Sequence, residues 1–195
     1  MKKTLFAGLI LVSMVALACA QDTKQQHEEQ QKAMEAYMKA AAVTENHQFL
    51  AKYAGDWDVA VTYWMGPGAP PTKSTGTFKG RMLLGGRYLE MTFNGFMMGQ
   101  PFEGIQLVGF DNLEQKYNTL WIDNTSTSFF ITRGTREGDV LNETGEWPDP
   151  VTGSVVPVKA RTTWVGGDEY QYEQWMVMPD GTEHKGMEMR CKRKK

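Results

Sequence analysis

From Trp57 onward, apolar and polar residues alternate with a period of two. Trp57, Val59, Val61, Tyr63 and Met65 fall on one side, with Asp58, Ala60 and Thr62 on the other. This is the pattern of a strand with one face covered. Arg87, Leu89, Met91 and Phe93 oppose Tyr88, Glu90, Thr92 and Asn94. Near the end, Met187, Met189, Cys191 and Arg193 oppose Glu188, Arg190 and Lys192. Reversals are marked at Gly85-Gly86, Asp111-Asn112, Gly138-Asp139, Asp149-Pro150, Gly166-Gly167-Asp168 and Pro179-Asp180-Gly181. The pattern predicts strands near 57–65, 75–84, 87–95, 102–110, 117–123, 128–136, 140–147, 155–165, 169–178 and 183–193. Strands joined almost throughout by hairpins form an antiparallel meander, and closing a long meander on itself removes its exposed edges. The predicted fold is therefore all-β, an antiparallel up-and-down barrel of about ten strands. Several runs, Phe129-Phe130 and Tyr170 to Trp175 among them, carry aromatics on both faces. That is more apolar surface than one wet face requires.

Before Trp57 the period changes. Gln21 to Gln31 is polar, and Met34, Tyr37, Met38 and Ala41 then recur at helical spacing. Thr44 is placed to cap a second, short helix carrying Phe49, Leu50 and Tyr53. The expected organisation is a leader at 1–20, a helical extension and lead-in helix at 21–54, and the barrel at 55–195.

The leader is read from charge and length. Lys2 and Lys3 precede an apolar run from Thr4 to Leu17, and Ala18-Cys19-Ala20 supplies a small-x-small site before Gln21-Asp22. The run is short for a membrane span. The expectation is export from a bacterial cell, to the periplasm or beyond, with cleavage near Ala20-Gln21. A lipid anchor on Cys19 is the alternative. Ala16 stands where lipoprotein sites usually carry Leu, Val or Ile, which favours plain cleavage. No transmembrane span is expected in the mature chain.

Composition narrows the function classes. The 195 residues hold 21 basic and 23 acidic side chains, a net charge of −2, and the one basic block is the tail Lys192 to Lys195. A weakly acidic chain of this kind is a poor nucleic-acid binder. With the leader removed, Cys191 has no intramolecular partner, and it reads as a small buried side chain.

Two features carry a resemblance. Gly55-Asp56-Trp57 is a Gly-x-Trp turn opening the first strand after a short helix, and it resembles the start of calycin barrels such as lipocalins. In those barrels, the resemblance implies, a basic residue of the last strand stacks across the Trp. Arg193 has the parity for that role, and Arg190 is the second choice. More specific are Tyr63 to Pro70, Gly85-Gly86-Arg87-Tyr88-Leu89, Met97 to Gly104, Gly109-Phe110-Asp111-Asn112, Trp121-Ile122-Asp123 and Asp149 to Gly153. From about His47 to Arg193 the chain resembles a secreted bacterial family designated domain of unknown function 1579. That family implies a barrel and no established reaction, so no catalytic residue is carried over.

The candidate site is a lumen. The 13 methionines include Met65, Met91, Met97, Met98, Met176, Met178, Met187 and Met189 in or beside strands. Thioethers suit an adaptable apolar pocket and equally an irregular core. The pocket candidates are Tyr63, Met91, Phe93, Trp121, Asp123, Phe129, Arg133, Tyr172 and Met176, with Trp57 and Arg193 at barrel closure; which parity points inward is open. No cofactor is identified. The pairs Met176/Met178 and Met187/Met189 offer soft sulfur for Cu(I), and His184 is the candidate for a haem, though its place after Pro179-Asp180-Gly181 reads as a solvated loop. His27 and His47 have no ligand spacing with it for zinc. Serine-nucleophile elbows and phosphate loops are missing. A carboxylate–arginine pair drawn from Asp123, Arg133, Glu146, Arg161 and Glu173 would make an isomerase or lyase. Gly66 to Thr72 is a proline-tightened loop that either gates the open end or simply joins two strands. The first expectation is a non-catalytic exported barrel binding a small apolar or amphipathic molecule; the alternatives are such an enzyme, or an envelope interaction protein using the N-terminal helix.

Overall fold

A computed structural model describes residues 24–149 and 153–195; the leader, Cys19 and the cleavage site lie outside them. Residues 24–40 form helix α1, whose Met34, Tyr37 and Met38 are exposed. It starts within the Gln/Glu-rich stretch that carries no apolar stripe. Val43–Lys195 is a separate compact unit, described next on its own.

That unit opens with helix α2 (Glu45–Ala51), whose N-terminus follows Thr44; the Thr44 N–H donates to Nδ1 of His47 at 3.0 Å. His47, Phe49 and Leu50 form its buried side. Ten strands follow: β1 (Gly55–Tyr63), β2 (Thr72–Leu83), β3 (Tyr88–Met97), β4 (Gln100–Asp111), β5 (Lys116–Asp123), β6 (Phe130–Glu137), β7 (Val140–Pro148), β8 (Val155–Gly166), β9 (Glu169–Val177) and β10 (Glu183–Arg193). Each pairs antiparallel with the next, and β10 pairs with β1, so the sheet is a closed barrel. The closing register sets Trp57 opposite Arg193, Val59 opposite Cys191 and Tyr63 opposite Met187.

Burial assigns the parity. Trp57, Val59, Val61 and Tyr63 point inward from β1, as do Leu89, Met91 and Phe93 from β3. Registers carry this face round the wall, through Tyr117 and Thr119, Thr132, Leu141 and Glu143, Val158 and Ala160, to Tyr170 and Cys191.

One end is plugged. Phe49, Tyr53, Trp57, Trp164, Tyr170 and Tyr117 meet edge to face with centroids 4.8 to 6.3 Å apart. Such contacts add to the gain from burying the rings themselves. Trp57 is 0% exposed and donates its Nε1–H to the Tyr53 carbonyl at 2.9 Å. The guanidinium of Arg193 lies over the Trp57 ring, 4.1 Å from its centroid. It donates to the carbonyls of Ala54 (2.6 Å) and Lys52 (2.7 Å) and to Asp168 (2.9 Å). Gly55 makes this approach possible: its φ is +118°, and a Cβ there would sit 2.6 Å from an Arg193 nitrogen. Arg190 is exposed on the outer wall and pairs with Glu188.

Candidate functional site

The opposite end is bordered by the connections β1–β2, β3–β4, β5–β6 and β9–β10, together with the end of β7 and the start of β8. Beneath them the upper lumen is lined by rings laid along the wall. Phe93 lies over Gly76 and Gly95, where added Cβ atoms would sit 2.3 and 2.7 Å from it. Trp121 lies over Gly104, where an added Cβ would come within 2.2 Å of the indole. Glycine at these positions lets the rings lie against the sheet instead of crossing the lumen. Phe78, Phe93, Phe102 and Trp121 follow one another round the wall at 5.0 to 6.2 Å between centroids, and Phe130 meets Trp147 at 5.2 Å.

Of the sequence candidates, Tyr63, Met91, Phe93, Trp121, Asp123, Tyr172 and Met176 face inward. Tyr63, Met91 and Phe93 are buried in the packed core, and the Tyr63 hydroxyl accepts the Met98 N–H at 3.3 Å. Trp121 donates its indole N–H to Asp123 Oδ2 at 2.8 Å. The other oxygen of Asp123 accepts the N–H and hydroxyl of Thr125, which ties this carboxylate into the rim. Tyr172 donates to Gln174 Oε1 at 3.0 Å, and burial raises the pKa of its hydroxyl.

Phe129 and Arg133 stand elsewhere. Phe129 is 66% exposed before β6 begins, and Arg133 points outward toward Glu114 at 3.5 Å. The inward residues of β6 are Phe130 and Thr132, so odd-numbered positions on that strand face solvent. Both line a groove of about 1030 Å³ on the outer wall, with Ile131, Lys159, Arg161 and Trp175. Glu146, Arg161 and Glu173 also point outward. Asp123 and Arg133 therefore lie on opposite faces of the wall and do not form a pair. A second outer groove of about 850 Å³ is lined by Asp58, Thr77, Asn94, Phe96, Glu103 and Arg190.

His184 corrects its sequence reading. It lies in β10 opposite Met176, whose other neighbour is the buried Val158, so it faces the lumen near the rim; its Nε2 is buried without a hydrogen-bond partner. Met187 and Met189 also face inward from β10, whereas Met65 and Met98 are exposed at the open end. Among the described residues, no three His, Cys, Asp or Glu side chains converge on a metal-sized site. Cys191 is fully buried beside Tyr170, and burial pushes its thiol up to about 12. An uncharged buried thiol is a poor nucleophile.

One inward group escaped the sequence reading. Glu143, 5% exposed, sits halfway along β7; its Oε1 accepts the hydroxyls of Thr119 (2.7 Å) and Thr132 (3.2 Å). Burial raises its pKa, and the two hydroxyl bonds work against that rise. A partial signal exists: Glu143 shares the parity of Leu141 and Trp147, although Val140, at the start of the strand, has the opposite parity.

Above the plug, the inward side chains of Trp121, Tyr172, Gln174, Met176, Met187 and Met189 keep accessible surface although the wall surrounds them.

Comparison with known proteins gives three findings. The sequence profile of a family described as a protein of unknown function, DUF1579, matches residues 42–193. No curated protein matches the chain. Among solved structures, Rv2717c from M. tuberculosis is similar at 14% identity and a TM-score of 0.55, over 79% of this chain and 100% of that one, a likeness of fold. Two redesigned β-barrels, b11L5F_LGL and mFAP1 bound to DFHBI, are looser matches. Their identities are 14% and 16% and their TM-scores 0.40 and 0.38; each covers 75% of this chain, and 95% and 97% of the designs are covered.

Proposed function

The chain belongs to the DUF1579 family, and from that premise we propose that it is a non-catalytic container for a small apolar or amphipathic molecule held in the upper lumen. One observation supports this above the others: inward Trp121, Met176, Met187 and Met189 retain accessible surface, and Gly104 lets the Trp121 ring lie flat against the wall. An interior evolved only for packing would fill that space with side chains. The plugged end provides a floor, and the rim provides Asp123 and His184 as polar groups beside apolar walls, the usual make-up of a small-molecule site.

Titration with N-phenylnaphthylamine, a neutral dye that brightens in apolar surroundings, tests the reading. The expected result is one dye per chain, with energy transfer from tryptophan, and loss of both in Gly104→Val, where the displaced Trp121 ring would enter the lumen. Equal binding by Gly104→Val and the wild type, or none by either, would overturn it.

We propose further that the chain is exported from a bacterial cell and cleaved near Ala20-Gln21. The support is the sequence alone: Lys2-Lys3, the apolar run and Ala18-Cys19-Ala20. The intact mass of the mature protein tests this, and a mass carrying a lipid adduct on Cys19 would replace it with an anchored form.

A further inference from the structure

We propose that Glu143 is the polar anchor of the lumen and that the occupant is an amphipath bearing a protonated amine, its cation on Glu143 and its apolar body against Trp121, Phe102 and Met176. This rests on the container function proposed above and adds the chemistry that the container selects.

The carboxyl is held from one side only. Oε1 takes both threonine hydroxyls, and Oε2 accepts no hydrogen bond among the described residues. Directly opposite Glu143 stand Gly134 on β6 and Ala160 on β8, and the adjacent inward positions on its own strand are Leu141 and Gly145. Leu141 is thus the one large side chain among these four neighbours, and none of them offers the carboxyl a hydrogen bond.

Among the described residues, no cation of the protein is placed to meet it. Two arginines among them face inward from the strands, and both are engaged at the plug. Arg136 donates to the Tyr117 hydroxyl, the Gly138 carbonyl and Asn46, with its guanidinium over Phe49. Arg193 is bound to Asp168, Ala54 and Lys52. His184 faces the rim, opposite Met176 near the end of the barrel away from the plug. Buried carboxylates are ordinarily paired, because a charge removed from water without a partner is costly. Without one, burial favours the protonated carboxyl; a cationic occupant would supply the missing partner and hold the charged form. An anionic head would be repelled, and a hydroxyl head would form one ordinary hydrogen bond. An ammonium forms a charge-assisted bond, roughly twice as strong, and the surrounding rings attract a cation as well.

Displacement of N-phenylnaphthylamine from the full chain by octylamine and by octanol separates the possibilities. The wild type is expected to prefer octylamine by roughly tenfold, the ratio corresponding to one charge-assisted bond. Glu143→Gln keeps a carbonyl oxygen for both threonines and removes the charge; it should bind octanol as before and lose the preference. Should that variant fail to fold, Glu143→Met, of similar volume and apolar, is read by the ratio alone: octanol binding weakens by its one hydrogen bond, and the preference for octylamine is lost. Equal binding of both compounds by the wild type, or a preference that survives the substitution, would overturn the anchor and leave the container standing. Failure of the wild type to bind the dye, octanol or octylamine would overturn both.

Discussion

The two halves of the barrel interior are built from the same residue types and arrive at opposite results. Near α2, Tyr53, Trp57, Trp164 and Tyr170 point their edges into one another's faces, and the space between the strands is filled. Toward the other end, Phe93 and Trp121 lie flat over Gly76, Gly95 and Gly104, and Trp121, Met176, Met187 and Met189 keep accessible surface. What differs is the partner of each ring: another ring in the plug, a bare backbone in the upper wall. Aromatic content therefore does not say how a barrel interior packs; the residue opposite the ring does.

Substitutions that exchange these environments should show the contrast, beginning with the largest effect. Trp57→Ala removes a fully buried indole from the plug and should cost about 3–5 kcal/mol in chemical denaturation; a loss below about 1 kcal/mol would mean that the plug is not the structural half. Gly104→Val should cost roughly 1–3 kcal/mol from overpacking, and its stronger signature should be loss of dye binding. Arg193→Met removes the stacked cation and two carbonyl bonds at a partly exposed site, and about 1–2 kcal/mol is expected, with dye binding retained.

Glu143 gives a smaller, pH-dependent effect. Its folded pKa lies above the unfolded one, so the folded state holds the proton more tightly. Stability then falls as pH rises from the ordinary carboxylate range through the folded value, and the penalty is complete above it. Glu143→Gln does not titrate there. The variant should match or exceed the wild type in denaturation midpoint near neutrality and lose that advantage on acidification through the same window. A difference independent of pH would show that the carboxyl is not in a desolvated site. Least of all should Phe129→Ser matter: on the outer wall it should change stability by less than about 0.5 kcal/mol and leave dye binding intact.

The division between sequence and structure follows the same line. Alternation and turn chemistry are local, and they were enough to place ten strands and a short lead-in helix in the sequence itself; closure followed because a long meander has edges to hide. The strand ends moved by a few residues, as at β2, which begins at Thr72 after the proline-rich loop. Which parity faces inward is a property of the closed sheet. On β1 the Trp–Val–Val–Tyr run announces it. On β6, Phe129-Phe130 offers an aromatic to each side, and the register with β5 and β7 sends Phe130 in and Phe129 and Arg133 out. The turn before His184 predicts a loop, yet its pairing with Met176 draws it into the wall. Glu143 passed unnoticed for a related reason: a carboxyl on an alternating strand looks solvated until Thr119 and Thr132 arrive from strands 24 and 11 residues away. Sequence determined the strands and the barrel, because those depend on neighbours along the chain. Tertiary structure decided the plug, the flat-lying rings of the upper wall and the buried acid, because each depends on which residue from a distant strand stands opposite.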